Sequence, residues 1–453
     1  MINLIRNELS KIFHRKTIYV FGILILISIS LNTLLYYVSD KFSVLNDYAY
    51  SYIDSNLDSY DLSDPQQLEF YVNEKTMIDI YNITNDKGYV DDSWEYYAVN
   101  NDVYDIQLCI NQAIVSKDEE SLKECEEQKE VLLKKVEDGD WKYFVEIKRG
   151  EDEFYNSLLD YRLEYDIPFS NNEESSLLDS YVEYKSLYDT YSITKNYKNY
   201  NEKLTAKEAE KNYYETKYII ENKIEIPEYD TVHALIKYDF SSTIFLIIIG
   251  IIVVSGSIVA DEFNKGTIKQ LLLRPYSRTK ILMSKYISCL IVFVALLLFR
   301  LVLSTIIYGF LNGWSSLSIP VIMYNFNTGK VMELSIWTYI LIYTIGLLPL
   351  YLILLSLAFT LSVISGNNVL AVGVSIVGYI AASIINTFAN SIKYSIVKFF
   401  PTLCWDLTPY WFGGLSPYRY STFGVSLVVD IVVLILFIAI SIFVFNRKEI
   451  KNQ

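Results

Sequence analysis

Six stretches are apolar over about 20 residues or more, the length an α-helix needs to cross a bilayer: 17–38, 240–260, 287–310, 334–361, 369–388 and 422–445. Between the first and second the pattern changes to charged, Tyr-rich sequence with helical spacing. There Leu177, Leu178, Tyr181, Tyr184, Leu187, Tyr188 and Tyr191 recur at three- and four-residue steps, one face of an amphipathic helix. Three capping-box patterns, Ser116 to Glu119, Ser170 to Glu173 and Thr205 to Glu208, predict helix starts; residues 40–105 have weaker periodicity and read as a mixed helical subdomain. Ahead of the first span, Ile2, Ile5, Leu9, Ile12 and Phe13 predict a short helix lying in a membrane interface. The expected fold is an all-α polytopic membrane protein with six transmembrane helices. It divides into 1–38 (interfacial helix and first span), 39–238 (a mainly helical domain inserted between helices 1 and 2) and 239–453 (the remaining spans).

Charge sharpens that division. The 453-residue chain carries a formal net charge of −14, yet residues 40–237 hold 45 Asp and Glu against 21 Lys and Arg, and the rest holds 8 against 18. An acidic domain is thus inserted into a basic membrane protein. Lys and Arg favour the cytosolic face. Arg6, Lys11, Arg15 and Lys16 precede the first span, six basic residues from Lys265 to Lys285 separate the second and third, and Arg447, Lys448 and Lys451 follow the last. Both termini are expected to be cytosolic and residues 39–238 extracellular, in the cell membrane. The first span lacks a small-residue cleavage site after it and reads as a retained helix, not a signal peptide.

Four cysteines and two histidines limit the chemistry. Cys109 and Cys125 both fall in the outer domain, where a disulfide across a helical hairpin turning near Ser116 and two free thiols are both compatible with the spacing. His14 and His233 lie near membrane boundaries, so neither a His-based triad nor an HExxH zinc site is built outside. No catalytic or metal site is read in this chain. The acidic outer surface is either a solvated face or a gate or docking surface for a cationic substrate.

The loop 261–285 carries the most specific pattern: Glu262, then Gly266-Thr267, Leu271-Leu272, and Pro275-x-Ser277-Arg278. Thr267 is placed to cap a short helix carrying Ile268, Leu271 and Leu272 that Pro275 stops, and Ser277 to cap the next, with Arg278, Lys280 and Lys285 at lipid head groups. At these residues the sequence resembles the ABC-2 type permeases, membrane subunits of ABC exporters, in which such a loop forms a cytosolic coupling helix. The resemblance extends to the six spans, to 3–16 as an elbow helix, and to a polar outer segment, 389–421, that in the family dips back into the outer leaflet; the large insertion departs from compact members. It implies a permease moving a substrate by alternating access, with two permease copies or a related second permease and a separate ATPase subunit. ATP and Mg would be bound by that partner and no cofactor by this chain, which lacks a G-x-x-x-x-G-K-[ST] loop. A peptide or antimicrobial compound is the first candidate cargo, then a lipid, drug or ion; membrane lipids are expected neighbours and nucleic acid is not. The alternative is a membrane-anchored receptor or sensor whose outer domain binds a ligand without transport.

Within the spans, Arg300 and Asp430 fall at similar depth and are expected to pair, since a lone charge there is costly. Ala371, Ser375, Gly378 and Ala382 suit close helix approach, and Pro349 predicts a kink.

Overall fold

The computed structural model describes residues 1–194, 197–227, 231–242, 244–268, 270, 275–389 and 394–448. It divides into two compact units. One comprises Met1–Leu34, Asn199–Lys207 and Pro227–Gln453; the other comprises Leu35–Lys198 and Glu208–Ile226.

In the first unit, six helices among the described residues are long and apolar enough to cross a membrane: Lys16–Leu35, Ile244–Asn264, Arg278–Asn312, Ile336–Ser365, Asn368–Phe388 and Phe423–Arg447. They are the first to sixth spans below. The fourth packs against the second, fifth and sixth. Hydroxyls bind these helices where apolar side chains provide no directional contact: Tyr286 reaches Ser356 Oγ at 2.7 Å, and Ser441 donates to Thr360 at 2.9 Å. Ala371, Ser375 and Ala382 of the fifth span are buried as their spacing predicts, whereas nothing lies within 4 Å of a Cβ built on Gly378. The close approach is supplied from the other side, at Gly256 of the second span. A Cβ there would lie 2.8 Å from Val372 Cγ2.

Pro349 sits inside the fourth span, as its sequence predicts. Around it the helix is opened and repaired from outside. Leu350 N–H would ordinarily donate to the Gly346 carbonyl one turn back; it donates instead to Trp405 O at 3.1 Å, while Gly346 O accepts from Leu407 N–H at 3.0 Å. The segment after the fifth span folds back alongside the helices in short turns, Ser395–Phe399, Pro401–Cys404 and Thr408–Gly413, and completes the broken rung. Only glycine leaves room for it: a Cβ on residue 346 would stand 2.6 Å from Trp411 Nε1 and 2.7 Å from Thr408 Cγ2.

One element departs from an all-α fold. Residues 321–334 form an antiparallel hairpin, β1 (Val321–Asn325) and β2 (Lys330–Leu334), in register Val321 with Leu334 and Asn325 with Lys330. The fourth span therefore starts at Ile336 behind the Ser335 cap, not within the strand at Leu334.

The second unit is helical among its described residues. One core joins Ile80, Val99, Val103, Leu132 and Phe144. Another joins Leu178, Tyr181, Val182 and Tyr213, with Leu177, Tyr184 and Tyr188 packed against it, which gathers the predicted face as far as Tyr188. Arg162 is fully buried, its guanidinium 3.9 Å over the Phe169 ring and bonded to Pro168 O and Ser175 Oγ at 3.0 Å and to Asp179. Cys109 and Cys125 are disulfide-bonded and join helices Tyr104–Ser116 and Glu119–Glu137. The three capping boxes are displaced. Asp118, Asn172 and Asn199 accept the first-turn N–H groups, while Ser116 ends a helix and Thr205 lies inside one. Each true cap is a nearer Asp or Asn, which competes well with Ser and Thr for that position.

Candidate functional site

The helix Ile2–Phe13 buries Leu4, Glu8 and Ile12, a stripe rotated from the one its apolar residues suggest; Ile2 and Phe13 are exposed. It packs against the third span. Glu8 thereby enters a buried stripe, and an isolated carboxylate there would be costly. It meets Lys285, fully buried on the third span, at 2.6 Å. Lys285 also lies 3.2 Å from Glu262, and Lys11 bridges the same two acids at 3.2 Å to Glu8 and 2.8 Å to Glu262. Thr267 Oγ1 donates to the second oxygen of Glu262. Two acids and two ammonium groups thus form a closed, neutral cluster. It joins the N-terminal helix, the end of the second span, the start of the 261–285 loop and the base of the third span. Burial alone would lower the Lys11 ammonium pKa, but the hydrogen bond to Glu262 and the charges of both acids raise it above its ordinary value.

A second layer surrounds the cluster. Arg15 pairs with Asp261 at 2.8 Å and donates to Ser257 at 3.0 Å, and Asn368 at the head of the fifth span donates to Asp261 at 3.2 Å. Lys448 donates to the Val363 and Ile364 carbonyls at 2.8 and 3.1 Å and sits 4.3 Å over the Phe263 ring. Gly366 ends the fourth span at φ +64. Arg278 donates to the carbonyls of Asn446 and Lys448 at 3.1 and 3.3 Å, satisfying acceptors that a helix end leaves open.

Of the residues singled out in the sequence, Glu262 and Thr267 enter the cluster, Ser277 caps the third-span helix by accepting from Lys280 N–H, and Arg278 ties that helix to the sixth span. Gly266 takes the positive φ of +68 that glycine permits, and Pro275 is exposed. Leu271 and Leu272, with most of the expected coupling helix, lie outside the described residues. Thr267 binds Glu262 and stands immediately before the helical residues Ile268 and Gln270, and Lys285 is buried, not placed at a head group. Glu8 and Lys285 escaped sequence reading. The available signal was Leu4-x3-Glu8-x3-Ile12, an acid in phase with buried aliphatics.

Arg300 and Asp430 are both buried, but among the described residues no ion pair joins them, and both Asp430 carboxylate oxygens lack a hydrogen-bond partner there. Equal depth does not set which way each helix turns its side chains. Among the described residues no group of three or more His, Cys, Asp or Glu is placed to hold a metal ion.

A family described as "Protein of unknown function (DUF2705)" matches residues 200–451. The chain is also 32% identical over 225 residues to "Uncharacterized protein YhcI" of Bacillus subtilis (strain 168), covering 49% of this chain and 71% of that protein. No solved structure matches.

Proposed function

We propose, for a chain that belongs to the DUF2705 family, that it is the membrane subunit of an ATP-driven exporter and that the Glu8–Lys11–Glu262–Lys285 cluster couples a separate ATPase to the spans. The observation carrying this reading is that one buried ion network binds the 261–285 loop to two helices at once. Removing one partner of such a network costs about 3–5 kcal/mol, so a displacement of the loop is transmitted to the N-terminal helix and third span instead of being absorbed locally. Arg278 extends the linkage to the sixth span and Asn368 to the fifth. The loop pattern from Glu262 to Arg278 and its resemblance to the ABC-2 coupling helix support the same reading.

In this reading the loop and both termini face the cytosol, where the partner ATPase binds ATP and Mg. Two membrane subunits alternate between inward- and outward-open arrangements. The inserted unit lies outside, where the Cys109–Cys125 disulfide is chemically at home; a peptide or antimicrobial compound is the proposed cargo.

Co-expression with a candidate ABC-type ATPase carrying Walker motifs provides the test. A stable complex is expected whose ATPase rate drops at least tenfold on Arg278→Glu or Lys285→Gln while the complex still assembles. Absence of a stable ATPase complex with the wild-type chain, or unaltered turnover in both variants, would sink the reading.

A further inference from the structure

The helical unit holds a cavity of about 660 Å³, within the range of small-molecule sites. It opens between helices Tyr104–Ser116, Glu119–Glu137 and Trp141–Glu146. Its walls combine two chemistries. Val131 and Ile147 present apolar surface to it while 50% and 47% exposed, an arrangement that water does not favour.

Around that surface stand carboxylates. Asp105 and Glu124 take part in no ion pair among the described residues, and Glu127 has only a 3.8 Å contact to Lys123 at a side chain 69% exposed. Asp102, its side chain 11% exposed, gives one oxygen to Lys148; its other oxygen, Oδ2, is buried with no hydrogen-bond partner among the described residues. No Lys or Arg lines the cavity, and the nearby Lys135 is already placed 4.9 Å over the Tyr143 ring and paired with Asp140. Negative charge is therefore left uncompensated beside apolar surface in a space of ligand size.

We propose that this cavity binds a lipophilic organic cation. The carboxylates select its charge, Val131 and Ile147 take its apolar body, and the volume admits a drug-sized molecule. A bare metal ion fits less well: these carboxylates do not converge into a group of three that would ligate one. The inference is independent of ATP-driven transport, because an exporter and a receptor would present the site alike.

The test is calorimetric titration of the full chain in lipid nanodiscs with tetraphenylphosphonium and with tetraphenylborate, matched in shape and opposite in charge, after subtraction of empty discs. Saturable binding of the phosphonium alone is expected, weakened at least tenfold by combined Asp105→Asn, Glu124→Gln and Glu127→Gln substitution. Added salt should weaken it too, since the rim charges are exposed. Val131→Arg, at a half-exposed position that leaves folding intact, should abolish it. Equal binding of the two ions, no saturable binding above the discs, or unaltered affinity in the triple variant or in Val131→Arg would overturn the proposal.

Discussion

Lys285 is the residue on which one end of the first unit turns, since its ammonium is fully buried and both of its acidic partners are nearly so. Lys285→Met would leave Glu8 and Glu262 sharing only Lys11, and is expected to destabilise the protein by about 3–5 kcal/mol. Adding Glu262→Gln restores neutrality, so the double variant should recover more than about 1 kcal/mol relative to the sum of the single changes. Thermal unfolding of the four proteins in one detergent measures this; additive changes would deny the coupling. His233 makes a second, pH-dependent case. It is 2% exposed, both ring nitrogens lack hydrogen-bond partners among the described residues, and burial together with the Lys237 charge pushes its pKa from 6.5 to about 4. The folded state binds this proton less readily than the unfolded one. Stability from this group is therefore complete above pH 6.5 and is lost as pH falls toward 4, by up to about 3 kcal/mol. His233→Leu should flatten that part of the pH profile, and a slope unaltered by the substitution would refute the assignment.

At the scale of elements, length and apolar content made the spans legible, because crossing a bilayer sets the same demand on any helix. The donor missing at Pro349 was legible for an equally local reason. Its repair was not: Leu407 and Trp405 reach Gly346 and Leu350 across more than fifty residues of sequence, and no local pattern encodes that pairing. The site divides in the same way. Glu262, Ser277 and Arg278 stand in a local pattern, while Lys285 on the chain looks like any basic residue beside a span and becomes a buried counter-ion only through Glu8, 277 residues away. Arg300 and Asp430 failed as a pair because depth was readable and rotation was not. The repair makes a paired prediction about glycines. Gly346→Ala forces its Cβ into Trp411 and Thr408 and should cost about 1–3 kcal/mol, whereas Gly373→Ala in the fifth span, with nothing within 4 Å, should be neutral or stabilising by up to about 1 kcal/mol. Melting temperatures of the two variants decide it; equal shifts would remove the folded-back segment from the account.

For the whole molecule, the division into two units raises the question of whether stability is shared between them. The disulfide offers a clean perturbation, since Cys109 and Cys125 close a 16-residue separation wholly inside the second unit, while Cys289 and Cys404 are buried free thiols of the first. A loop of that length stabilises by about 3 kcal/mol when cross-linked, a large share of what holds a domain of ordinary stability. Each unit has its own core: aliphatic and aromatic clusters around Val99 and Tyr181 in one, the fourth span and its neighbours in the other. With separate cores, loss of the cross-link should remain local. Reduction without denaturant, or Cys109→Ser with Cys125→Ser, is therefore expected to speed amide hydrogen exchange in 35–198 and 208–226 and to leave the spans unaltered. Thiol labelling after reduction should mark Cys109 and Cys125 well before Cys289 and Cys404. If exchange in the six spans rises in step with that of the helical unit, the two units unfold as one and their independence is lost.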